Sequence, residues 1–108
     1  MKLYIGGVYQ GQEALARREN PGAELFPAFH ETLRQAMQET GDPGAYVEAF
    51  IAAHPKAVVV ADEIGCGIVP LDPGDRAWRE AVGRGLCRIA QASERVTRVC
   101  CGIGMVIK

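Results

Sequence analysis

No charge of either sign dominates this chain. Twelve Lys and Arg face thirteen Asp and Glu over 108 residues, a net charge of −1. That balance excludes a surface built for a polyanion, so no nucleic-acid partner is expected. Long hydrophobic runs are also missing. No apolar stretch approaches a membrane span, and the opening MKLYIGG has one Lys and glycines too early for a signal peptide. The four cysteines, Cys66, Cys87, Cys100 and Cys101, form no C-x-x-C pair. Their spacing argues against a zinc site or a disulfide scaffold and for reduced thiols in a cytoplasmic protein. Cys100 and Cys101, if both lie in a strand, point to opposite faces. Repeats, low-complexity segments and linkers are absent too, so residues 1–108 are expected to form a single domain. Apolar residues make up 48% and charged ones 23%, which is the balance of an ordinary globular chain with a core.

What is present is an alternation of strand and helix patterns. KLYIG (2–6) is a short β-rich run stopped by Gly6-Gly7, and QEALARRE after Gly11 is rich in helix formers. Within AELFPAFHETLRQAMQET, Phe29, Leu33 and Met37 share a helix face; Pro27 suits that helix's first turn and Gly41 its end. Asp42-Pro43 predicts the start of another helix, with Tyr46, Val47, Phe50 and Ile51 as its buried stripe and His54-Pro55 as its end. KAVVVADE (56–63) is the clearest strand, and its three valines predict burial on both faces, as in a central parallel strand. After the loop GCGIVPLDPGD, Asp72-Pro73 caps a helix predicted over 73–93 with Trp78, Val82, Leu86 and Ile89 inward. Gly83 and Gly85 cost that helix about 1 kcal/mol each, so close packing or close ligand approach is expected there. RVTRVCCGIGMVIK reads as strand, glycine turn and strand. The order predicts one α/β layered domain.

Three groups of residues could carry chemistry. The first is GGVYQGQE, residues Gly6, Gly7, Val8, Tyr9, Gln10, Gly11, Gln12 and Glu13, with the G-x-x-x-x-G glycine spacing of a Walker A loop between a strand and a helix. Such a loop turns its N–H groups inward around phosphate. Here Gln12 replaces the Lys that neutralises terminal phosphates, and Glu13 replaces the hydroxyl residue that binds magnesium; the alternative is a turn serving strand–helix packing. The second group is Asp62-Glu63, at the strand end where open α/β sheets bind ligands and where an acid can hold magnesium, or simply cap a loop. The third is Arg76, Arg79 and Arg84, either phosphate-gripping guanidiniums or a solvated helix face. His30 reads as a nucleophile or a half-buried side chain, and His54 as a helix C-terminal residue that complements the dipole. Cys66, between two glycines, reads as a thiol in a ligand loop.

Together, DEIGCGIVP (62–70), R-x-x-R-E-A-V-G-R (76–84), CGIGMVIK (101–108) and GGVYQG resemble the adenosylcobinamide kinase/adenosylcobinamide-phosphate guanylyltransferase family of cobalamin biosynthesis. The resemblance is close over 3–11 and 56–108. It implies a P-loop, RecA-like three-layer α/β fold with helices on both faces. It further implies phosphoryl and guanylyl transfer to a cobinamide-type corrinoid using GTP or ATP with Mg, through a histidine–GMP intermediate, in a homo-oligomer, by resemblance a trimer. By that correspondence residues 6–13 with Arg76, Arg79 and Arg84 meet the nucleotide, Glu63 is the catalytic acid, Asp62 and Glu63 hold the metal, and His30 stands as the guanylyl acceptor. The chain is shorter than the long bifunctional members. Its Gln12 and Glu13 imply activity weakened or lost, and the alternative is a non-catalytic binding or assembly protein that keeps the fold.

Overall fold

A computed structural model describes residues 1–64 and 72–108; the loop read over 65–71, with Cys66, lies outside the described residues. The described residues form β1 (Lys2–Gly6), α1 (Gln12–Glu19), β2 (Leu25–Phe26), α2 (Phe29–Thr40), α3 (Pro43–Ala53), β3 (Val58–Asp62), α4 (Pro73–Ala92), β4 (Arg95–Cys100) and β5 (Ile103–Val106). The strands make one sheet in the order β2-β3-β1-β4-β5. All neighbours are parallel except β4 and β5, which form a closing antiparallel hairpin.

Alternation along the strands divides the core into two layers. Leu3, Val59, Ala61 and Val96 face α2, α3 and α4, where they meet Phe29, Leu33, Val47, Phe50, Val82 and Ile89. Tyr4, Val58, Val60 and Val99 face α1, where Leu15 and Ala16 close over them. The result is an α/β sandwich with helices on both faces, and the triple valine is buried from both sides as its composition requires. Each fully buried large side chain contributes about 1.5–3 kcal/mol through apolar burial.

Local signals explain most boundaries. Asp42 accepts the Ala45 N–H at 3.0 Å, and Asp72 accepts that of Gly74 at 2.6 Å, so both Asp-Pro pairs start helices. Three expectations are corrected, the first being Tyr46, which is exposed and not part of the buried stripe of α3. Pro27 lies before α2 and not in its first turn, because a residue preceding proline is driven to extended backbone. Leu25 and Phe26 accordingly pair with Val58 and Val59 as β2. Gly83 and Gly85 also differ: a Cβ on Gly85 would sit 2.9 Å from Leu33 Cδ1 and 3.3 Å from Val47 Cγ2, whereas among the described residues one on Gly83 meets nothing within 4 Å. Of these two, Gly85 is the one that packing requires.

Candidate functional site

From β1 the chain runs through α1 to β2 on one side of the sheet, and from β3 it crosses through α4 to β4 on the other, so the ends of β1 and β3 flank the point where strand order reverses. In open parallel sheets that crevice at the carboxyl ends is where ligands bind. A cleft of about 380 Å³ opens there, with Val8, Tyr9, Gly11, Gln12, His30 and Asp62 in its walls.

The loop has the backbone of an anion cradle. Tyr9 and Gly11 have positive φ (60° and 87°), and Val8 and Gln10 do not. That alternation makes a nest of N–H groups turned to one side. Among the described residues, no hydrogen bond takes the N–H of Gly7, Val8, Tyr9, Gln10 or Gly11. The loop leads directly into α1, whose first-turn N–H groups add to the positive end. Tyr9 holds a left-handed conformation costly to a side chain, yet that side chain is 98% exposed and gains no packing in return.

The side chains around the cradle are turned inward. Gln12 is buried, and its Nε2 donates to Gly6 O at 3.2 Å, Gly7 O at 3.0 Å and Asp62 Oδ1 at 2.7 Å. Its amide therefore stitches the loop to the end of β3. Glu13 is half exposed on α1 and pairs with Arg17 at 3.3 Å. Gly6 admits no side chain, since a Cβ there would lie 2.5 Å from Val99 O. Gln10 O accepts the Gly102 N–H and Gln10 Oε1 accepts the Cys101 N–H, both at 2.7 Å, which seats the loop on the β4–β5 turn.

Asp62 and Glu63 separate, because successive strand residues face opposite sides. Asp62 shares the side of Val58 and Val60 and faces the loop. Glu63 lies on the other side, 3.4 Å from Arg98, and its N–H donates to Gly6 O at 2.8 Å. His30 is brought to the cleft from the first turn of α2. Its Nδ1 accepts the Asp62 N–H at 3.0 Å, and its Nε2 lies 3.5 Å from Asp62 Oδ2. An accepting Nδ1 assigns the proton to Nε2, so in this arrangement neither ring nitrogen offers a free lone pair. Trp78 Nε1 donates to His30 O at 2.8 Å and fixes this turn against α4.

Among the described residues, α4 and its arginines supply none of the cleft's walls. Arg84 is exposed and paired with Glu80 at 2.6 Å on the outer surface of α4. Arg76 and Arg79 lie on the first turns of the same helix, each with a partner. His54 ends α3, and its Nδ1 lies 2.9 Å from Glu24 Oε1. Among the described residues no three His, Cys, Asp or Glu side chains gather as a metal site, and no helix is long and apolar enough to cross a membrane.

A family model described as cobinamide kinase / cobinamide phosphate guanyltransferase matches residues 14–107. The chain belongs to that family. It is also similar to the bifunctional adenosylcobalamin biosynthesis protein CobU of Salmonella typhimurium, 43% identical over 53 residues, which is 49% of this chain and 29% of that relative. The chain thus spans under a third of the length of that relative. The match to the family model begins beyond Gln12, so the glycine loop rests on its own geometry.

Two features of this cobinamide kinase family member had no local signal in sequence. The inward Gln12 amide depends on where β3 ends, and the Gln10 contact depends on a turn some ninety residues away. The separation of Asp62 from Glu63 was readable, since strand alternation pairs Asp62 with Val60 and Glu63 with Ala61.

Proposed function

We propose that this chain is a nucleotide-binding member of the cobinamide kinase/guanyltransferase family that grips phosphate through main-chain N–H groups. Phosphoryl and guanylyl transfer from GTP or ATP to a cobinamide-type corrinoid is, on this reading, weakened or lost. The observation that carries the proposal is the row of unengaged N–H groups over residues 7–11 in alternating backbone conformation, ahead of α1. Those donors need no lysine to hold phosphate oxygens.

The missing chemistry is equally specific. A Walker-type Lys would add a charge-assisted contact to the terminal phosphates, whereas the Gln12 amide is committed to Gly6, Gly7 and Asp62. Asp62, with Glu13 on the cleft wall, fits a magnesium ion completed by phosphate oxygens, since such ions need only one or two protein carboxylates. When bound, magnesium would neutralise phosphate charge. His30 holds the Asp62 backbone and carboxylate in place on this reading, and its use as a guanylyl acceptor requires release of that contact.

The test is calorimetric titration with GTP and with ATP, each with magnesium, on the wild type and on Gln12→Lys/Glu13→Ser. Weak heat is expected from the wild type at millimolar nucleotide. The double variant should bind roughly 10–100-fold more tightly, the equivalent of one regained charge-assisted contact. Absence of heat from both proteins overturns the reading. A second reading, a binding or assembly protein without turnover, draws on the same inward Gln12; it predicts nucleotide binding with no product from cobinamide.

A further inference from the structure

The β4–β5 turn carries two thiols outside the cleft. Cys100 ends β4 and Cys101 begins the turn; both are exposed, and their Sγ atoms lie 4.0 Å apart. In a continuous strand they would point to opposite faces. Cys101 instead has a positive φ of 53°, which swings its sulfur back beside that of Cys100. The same short segment holds the glycine loop. The N–H groups of Cys101 and Gly102 donate to Gln10 Oε1 and Gln10 O, both at 2.7 Å. A Cβ on Gly11 would touch Gly102 Cα at 3.4 Å, so loop and turn are in direct contact.

We propose that Cys100 and Cys101 form a redox modification site, a vicinal dithiol that a low-molecular-weight disulfide oxidises reversibly to a ring disulfide, loosening the glycine loop from the turn. One protein thiolate attacks a sulfur of the small disulfide, forms a mixed disulfide and expels one small thiol. The neighbouring thiolate then attacks the protein sulfur of that mixed disulfide and expels the second small thiol. Two protein thiols and one small disulfide become one protein disulfide and two small thiols, and the two protons follow the leaving groups. Adjacent Cα atoms are about 3.8 Å apart, below the roughly 4.4–6.8 Å of ordinary disulfides. Ring closure must therefore rotate the backbone of Cys101, and that rotation re-aims the two N–H groups that hold Gln10. A bond strained in this way is readily reduced, as a reversible modification requires.

The experiment treats the reduced full chain with oxidised glutathione, blocks remaining thiols with N-ethylmaleimide, and maps peptides by mass. The wild type should lose two hydrogens within residues 95–108, while Cys87 is recovered only as alkylated or mixed-disulfide peptide. Neither Cys100→Ser nor Cys101→Ser should show that loss. Amide hydrogen exchange at Cys101 and Gly102, whose N–H groups hold Gln10, should rise roughly tenfold in the oxidised wild type, as expected when those two hydrogen bonds are lost, and stay unchanged in the serine variants. Persistent glutathione adducts on Cys100 or Cys101 without ring closure overturn the proposal, as does ring closure that leaves exchange at Cys101 and Gly102 unaltered. Neither readout uses a nucleotide, so the outcome is independent of the proposed function.

Discussion

Removing the Gln12 amide should destabilise the fold out of proportion to one polar side chain. Its bond to Asp62 Oδ1 at 2.7 Å is charge-assisted, a class that contributes about 1.5–3 kcal/mol. The bonds to Gly7 O and Gly6 O add about 0.5–1.5 kcal/mol together, because Gly6 O keeps the Glu63 N–H when the amide is gone. Gln12→Ala is therefore expected to cost about 2–4 kcal/mol, a fall of roughly 10–25 °C in Tm for a domain of this size. The assay is equilibrium urea unfolding followed by the fluorescence of Trp78, the chain's single tryptophan. A double-mutant cycle with Asp62→Ala isolates the pair, and its coupling should reach about 1.5–3 kcal/mol. Coupling below about 0.5 kcal/mol would refute the reasoning, since the loop would then be held to β3 by something else.

Gly83 and Gly85 of α4 should respond differently to alanine. Among the described residues Gly83→Ala faces open space and should gain about 1 kcal/mol of helix propensity, while Gly85→Ala presses on Leu33 and Val47 and should fall about 1–3 kcal/mol below it; equal Tm values for the pair would contradict that packing. Tyr4 ionises above the ordinary tyrosine value, first because burial disfavours its phenolate and further because its OH donates to Glu19 at 2.8 Å. A raised folded pKa means the unfolded chain loses this proton first, so stability is intact below about pH 10 and falls as pH rises through the folded value. Urea unfolding over an alkaline pH series should show that decline in the wild type and a flatter profile in Tyr4→Phe.

The separate contributions of sequence and structure are clearest at the glycine loop. Strand, loop and helix over residues 2–19 follow from local preference alone: a β-rich run, glycines for left-handed backbone, then helix formers. The Asp42-Pro43 and Asp72-Pro73 starts follow in the same way, because a cap is a contact within one turn of chain. The valines of β3 announced burial on both faces. Leu25–Phe26 escaped because a two-residue strand has no period of its own; only pairing with Val58 and Val59 makes it one.

The α/β class, the glycine spacing over residues 6–11 and the presence of Gln and Glu at positions 12 and 13 are all legible in the chain alone. Tertiary structure alone decided which side chains meet that cradle. It placed Asp62 and His30 at the cleft, put Glu63 on the opposite side, and, among the described residues, left the α4 arginines out of the cleft's walls. It also committed Gln12 inward and set Cys101 and Gly102 against Gln10. The reason is physical: a backbone cradle is built from neighbours in the chain, whereas its side-chain environment is set by strand order and by which sheet face each helix covers.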